Sequence, residues 1–329
     1  MPEAFSDYIA KQRSWIAQFR SGESLEMSCP FEIKPQHPNG KAVVLIHGLL
    51  ASPYIMRSIG EFMAQQGYLV RAILLPGHGT EWTQLKTVRY QEWLEACRYG
   101  IRSIQTEYDI ADISLIGFSL GATLALLMSF EFKISALGLI SPCLGISPIA
   151  RTFPSLCKLK LDKILPHLFC TQSQAVNYGS YQCFPICVVA EVQKTINLYH
   201  QKSKLQKTWP RIFGAVSLDD HTIKPQATLD AFARFPKASS YLTIYSGAEF
   251  KNHPEILCLS HVALPVSPQD PYFGRNGSYY SILPPETQFG EPTWRDQGKA
   301  IKRLTYHPDF DKMMASCLKI WHKPLQSFD

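Results

Sequence analysis

The residues of this chain best suited to chemistry surround a serine held between two glycines. Gly117-Phe118-Ser119-Leu120-Gly121 follows the apolar, β-branched run Ile113–Ile116 and precedes the helix-forming run Ala122–Phe130. A strand that turns sharply into a helix needs glycines at both flanks, where a Cβ would clash, and it exposes the central hydroxyl at the tip. Ser119 is therefore a candidate nucleophile. A serine hydroxyl attacks at neutral pH only when a base takes its proton, a third group orients that base, and donors meet the developing oxyanion.

The chain offers each of these groups. Asp219-Asp220 closes the strand-like run Ile212–Leu218, and functional groups of parallel sheets gather at the carboxyl ends of strands. His261 comes after Ile256–Ser260, which reads as a last core strand, and opens a Pro-rich loop. His253 is its alternative; His221 sits too close to the acid to be oriented by it. At the end of the first clear strand, His47-Gly48-Leu49 makes a turn that can aim the Leu49 N–H at the same point as the Leu120 N–H. Those two amides form the expected oxyanion hole. His47 and His78, the latter in Pro76-Gly77-His78-Gly79, read as structural hydrogen-bonding residues.

Elements that could position these groups emerge from hydrophobic periodicity. Strands are expected over 42–46, 68–75, 112–118, 135–141, 211–218 and 241–246, with helices over 87–107, 120–131, 226–235 and 310–321. Strand and helix alternate four times before residue 142, which predicts an α/β fold: a mostly parallel central sheet with helices on both faces. Ser52-Pro53 starts a helix, and residues 5–19 form an amphipathic helix expected to dock on the body of the protein. Pro30–Gly40 reads as turns. The alternation breaks over 142–209, a basic, Cys-rich, patchily helical stretch that reads as an inserted helical cap. The expected division is a lead-in over 1–40, a core over 41–141 and 210–329, and the cap over 142–209.

Composition narrows the function classes. The chain has 329 residues, is 46% hydrophobic and 18% charged, and has a formal net charge of +6. These are values of an ordinary globular protein. Residues 143–209 hold eight Lys/Arg against two acids, which equals the whole formal excess. No nucleic-acid motif accompanies that charge, so nucleic acid is not the expected partner; an anionic membrane surface or acidic substrate suits it better. Nine cysteines without CxxC spacing read as reduced thiols, and no signal-peptide or membrane-spanning pattern stands out, which together predict a cytoplasmic location.

Taken as a set, Ile46-His47-Gly48, Leu75-Pro76-Gly77-His78-Gly79, Gly117–Gly121, Asp220-His221-Thr222-Ile223 and Ser260-His261 resemble the α/β-hydrolase superfamily. Within it they look like the monoacylglycerol lipase and bacterial carboxylesterase branch. The resemblance covers about residues 41–261. It implies an eight-stranded type of core and a triad in the chain order Ser119, Asp220, His261. Asp220 is preferred over Asp219 because its D-x-x-Ile pattern resembles the acid turn of that fold. The implied activity is hydrolysis of an acyl ester or lipid, with neither metal nor organic cofactor. A phospholipase, thioesterase or acyltransferase on the same triad is the alternative, and a non-catalytic binding protein is disfavoured by the intact triad. Two departures affect access to the site: 40 residues precede the matched region, and 68 lie beyond His261.

Overall fold

The computed structural model describes residues 3–146, 181, 185–246, 258–278 and 303–323. Helices α1 (Phe5–Ile16) and α2 (Gly22–Ser28) lead into strand β1 (Phe31–Ile33) and the central strand β2 (Lys41–Ile46). A 3-10 turn, Pro53–Met56, then runs into α3 (Arg57–Gln65), followed by β3 (Leu69–Ile73), α4 (Tyr90–Tyr108), β4 (Asp112–Phe118), α5 (Leu120–Met128) and β5 (Ala136–Ile140). Beyond residue 181 come α6 (Ile186–Ser203), β6 (Arg211–Ser217), α7 (Pro225–Arg234) and β7 (Ser240–Tyr245). The short strands β8 (Cys258–Leu259) and β9 (Arg303–Leu304) precede α8 (Phe310–Trp321).

Among the described residues seven strands form one sheet in the order β1-β3-β2-β4-β5-β6-β7, parallel throughout except for β1. The chain passes from β2 outward to β3, then returns to place β4 on the other side of β2. The topological switch therefore falls between β2 and β4, where sheets of this kind open a crevice at their carboxyl ends. Ile46 pairs with Gly117 at that point, so β2 ends beside the serine turn.

Both faces of the sheet are covered, which explains why its strands are apolar without interruption. On β2, Val43 and Leu45 join a cluster with Ile59 and Met63 of α3 and Met313 and Trp321 of α8. Ala42, Val44 and Ile46 point the other way, into a cluster with Trp93 of α4, the apolar side chains of α5 and the buried face of α6. Every residue of α5 is buried. A helix that is apolar all round belongs inside, and this one lies between the sheet, α4 and α6.

The N-terminal helix is fastened through a buried cation. Arg71, fully buried on β3, pairs with Glu32 at 2.7 Å and Glu107 at 2.6 Å and bonds Ser103 Oγ. Its guanidinium also lies over the rings of Phe5 and Tyr108. Burying one such ion costs several kcal/mol, offset here by two carboxylates and a hydroxyl. Glu107 in turn accepts the Phe5 N–H at 2.8 Å, where a carboxylate complements the helix dipole. Among the described residues no helix is long and apolar enough to cross a membrane.

Two expectations need correction. Residues 31–33, read as part of a turn-rich lead-in, form an antiparallel edge strand in which Glu32 lies directly opposite Arg71. That opposed charge pair holds a segment too short to show periodicity. The run ending at Ser260, read as a last core strand of an eight-stranded sheet, supplies Cys258–Leu259, which pairs in parallel with β9 outside the seven-stranded sheet. Ser217 Oγ donates to the Leu259 carbonyl at 3.0 Å, so a side chain from β6 takes the place of a ladder bond. Most of the stretch read as a cap, residues 147–180 and 182–184, lies outside the described residues, as does His253. Its later part, α6, packs Val188, Val192, Ile196 and Tyr199 into the core cluster.

Candidate active site

The backbone dictates the serine turn. Ser119 has φ 55° and ψ −118°, a combination that costs an L-residue on the order of 1–3 kcal/mol and persists only when the surroundings over-determine it. They do so here. Ser119 N–H donates to Ile140 O at 2.9 Å, and Ser119 O accepts from Ala122 and Cys143 N–H, both at 3.1 Å. A Cβ on Gly117 would lie 2.2 Å from Gly121 O, and one on Gly121 would lie 2.1 Å from Ile46 O. Only glycine fits at either flank.

Asp220 lies at the end of β6, where its Oδ1 accepts the N–H groups of Thr222 at 2.8 Å and Ile223 at 3.2 Å. Its Oδ2 faces His261 Nδ1 at 2.5 Å. The Asp220 side chain is fully buried and that of His261 is 10% exposed. The imidazole also packs on the ring of Phe118, the residue before the serine, with centroids 4.8 Å apart. Donation from Nδ1 to the carboxylate leaves Nε2 as the basic nitrogen. The structure thus brings Asp220, rather than Asp219, to His261, while His221 is exposed.

The loop after β2 presses against the serine: a Cβ on Gly48 would lie 2.9 Å from Ser119 Cβ. Leu49 and Leu120 occupy the loop and the first turn of α5, and neither amide N–H donates to an acceptor among the described residues. Two buried histidines lace this loop to the one after β3. His47 Nε2 accepts the Leu75 N–H at 3.0 Å, and His78 Nε2 accepts the Leu50 N–H at 3.2 Å. Each ring therefore carries its proton on Nδ1, facing Gly48 O in one case and Leu75 O and Pro76 O in the other. Burial holds His47 well below the usual imidazole range and lowers His78 to about 4. Both are neutral pegs, as expected of structural residues.

A profile of the family described as serine aminopeptidase, S33, matches residues 37–183. The thermostable monoacylglycerol lipase of Bacillus sp. (strain H-257) is 30% identical over 87 residues, which are 26% of this chain and 34% of the lipase. The carboxylesterase of Bacillus subtilis (strain 168) is 26% identical over 103 residues, 31% of this chain and 41% of the esterase. The chain thus matches less than half the length of these relatives. The crystal structure of Paleococcus ferrophilus monoacylglycerol lipase superposes with a TM-score of 0.53 at 19% identity, covering 77% of this chain and 96% of that one. The chain has the α/β-hydrolase fold.

Within this fold, one buried acid in the loop after His261 was not singled out from the sequence. Asp270, in the loop after His261, accepts the N–H groups of Tyr272 at 2.9 Å and Phe273 at 2.8 Å. Its other oxygen faces Tyr54 Oη at 3.2 Å and Ser58 Oγ at 3.4 Å. This ties the loop bearing the histidine to the 3-10 turn and helix that come after Leu49. Burial raises the Asp270 pKa.

Proposed function

We propose that this protein is a serine hydrolase of carboxylic esters, acting through Ser119, His261 and Asp220. Ser119 Oγ attacks the acyl carbon as His261 Nε2 takes its proton, and Asp220 orients the imidazole and stabilises its charged form. The tetrahedral oxyanion forms against the Leu49 and Leu120 N–H groups; in comparable sites, one such donor is worth about 10²–10³ in kcat. His261 returns the proton to the departing alkoxide. Water, activated by the same histidine, then hydrolyses the acyl-enzyme.

The observation that carries this reading is the 2.5 Å contact between Asp220 and His261, set against the ring of Phe118 beside a serine in a strained turn. A serine elbow alone is a shape; an oriented imidazole beside it is a base. The relatives named as monoacylglycerol lipase and carboxylesterase support an acyl ester of glycerol or of a small alcohol as substrate.

A fluorophosphonate probe should label the wild type at Ser119 and leave Ser119→Ala unlabelled. The same substitution should lower turnover of a p-nitrophenyl ester by about 10³-fold or more, with the melting temperature retained or raised. Persistent labelling of Ser119→Ala would remove the serine from the mechanism.

A further inference from the structure

Leu50 adopts φ 64°, a left-handed conformation unfavourable for a leucine by about 1–2 kcal/mol. Its two backbone groups are gripped from different parts of the chain. His78 Nε2 takes the N–H, and the N–H of Tyr181 donates to the Leu50 carbonyl at 2.7 Å. Tyr181 does more than supply that amide. Its ring stacks on His78 with centroids 6.0 Å apart and planes 12° from parallel. Its hydroxyl donates to Gly77 O and accepts the Thr80 N–H, both at 2.9 Å. One residue therefore touches the loop after β2, the loop after β3, and the imidazole that joins them.

Arg20, between α1 and α2, completes the arrangement. Its guanidinium carbon lies 5.5 Å from the centroid of the Tyr181 ring, and its Nε donates to Thr80 O at 3.1 Å. The side chain is buried, where a cation over an aromatic face is worth more than at the surface. Arg20 belongs to the 40 residues that precede the matched core, and Tyr181 to the stretch between β5 and β6.

We propose that Tyr181, held in place by Arg20, is a positioning residue for the oxyanion loop. It keeps Leu50 left-handed, and Leu50 in turn fixes the peptide planes on either side. The Leu49 N–H lies one peptide upstream, so a Leu50 that relaxes to negative φ turns that donor away from the acyl oxygen. This inference rests on the reading of Leu49 as an oxyanion donor. It makes the lead-in segment part of the catalytic architecture, acting through residue 181.

The test compares full-length Tyr181→Leu, Tyr181→Phe and Arg20→Met with wild type. Arg13→Met, which breaks the surface pair with Glu26 and touches neither Tyr181 nor Thr80, serves as control. Turnover of a p-nitrophenyl ester is measured per fluorophosphonate-labelled site, and hydrogen exchange is followed by mass spectrometry in a peptide spanning Leu50. Tyr181→Leu should lower kcat about 30-fold with KM within about threefold, because the lost aim affects the oxyanion and not ground-state binding. Arg20→Met should lower kcat about fivefold, and Tyr181→Phe, which keeps the ring on His78, less than that. Exchange at Leu50 should rise about tenfold in Tyr181→Leu and Arg20→Met.

Unchanged kcat per labelled site and unchanged exchange overturn the proposal. So does a lowered melting temperature with kcat per labelled site intact, since that describes packing alone. If Tyr181→Leu fails to fold, Arg20→Met and Tyr181→Phe decide the matter by the same two readouts. If the wild type neither labels nor turns over ester, the hydrolase reading fails, while the exchange measurement still decides whether Tyr181 holds Leu50.

Discussion

Asp220 and Asp270 are built alike and serve differently. Each is buried, and each uses Oδ1 to accept the N–H groups two and three residues ahead. The difference lies at the second oxygen. For Asp220 it faces an imidazole nitrogen that can become a cation; for Asp270 it faces a phenol and an alcohol that stay neutral. A buried carboxylate opposite a titratable base can stabilise developing positive charge, whereas one opposite two hydroxyls can only staple segments together. The same local turn thus gives a candidate catalytic acid in one place and a clasp in the other. The partner decides, and the partner comes from tertiary structure.

The largest test of this contrast is Asp220→Asn. The amide keeps the shape of the turn but stabilises the wrong imidazole tautomer, so kcat should fall by about 10⁴-fold with little change in melting temperature. A loss below about tenfold would place Asp220 with Asp270 as a clasp. Asp270→Asn should leave kcat per labelled site within about twofold and change the pH dependence of stability instead. Its folded pKa is raised above the ordinary carboxylate value by burial, so the folded state holds this proton more tightly than the unfolded chain does. The associated stability is full below the unfolded pKa and lost as pH rises through the folded one. An asparagine has no proton to lose. Relative to wild type, Asp270→Asn should therefore gain about 2 °C or more in melting temperature between pH 4 and pH 7. A scan of melting temperature against pH reads this directly. Asp219→Asn should have the smallest effect, within about threefold on kcat, because the oxygen that meets His261 belongs to its neighbour.

The same contrast marks what could be read from the sequence. β4 and α8 lie where the sequence pattern placed them, Asp112–Phe118 over 112–118 and Phe310–Trp321 over 310–321, because β4 is a short apolar run buried on both faces and α8 repeats in register with one buried face. Asp220 and His261 could be named because an elbow serine calls for an acid and then a histidine later in the chain, in that order. Asp270 could not. Its D-x-x turn is visible, but residues 54 and 58 stand more than 200 positions away, and nothing in their spacing announces the meeting. Tyr181 stayed hidden for the same reason, since its partners Gly77 and Thr80 are over 100 positions upstream. Strand β1 escaped because three residues cannot show a period, and β8 because an apolar run fits any strand, in the main sheet or beside it. The charge of residues 143–209 also looks different in place: Lys202 pairs at 3.1 Å with Glu131, which lies outside that stretch, so part of the surplus is locally balanced.

The two pegs, His47 and His78, set a lifetime in acid. Both are protonated in the unfolded chain below the ordinary value of 6.5, yet stay neutral in the fold, His78 down to about 4. The unfolded state therefore binds more protons across that interval, and stability is lost as pH falls from about 6.5 toward about 4. What gives way there is the joint between the loops after β2 and β3. Activity that does not return on neutralisation should accordingly be lost progressively with time of exposure, as unfolding is. Preincubation near pH 4.5 for increasing times, with assay afterwards at pH 7.5, should give a decay curve whose rate climbs as the pH of preincubation drops. Durability in an acidic vessel is then a property of buried imidazoles, His307 with its value lowered to about 4 among them, that take no part in the proposed chemistry.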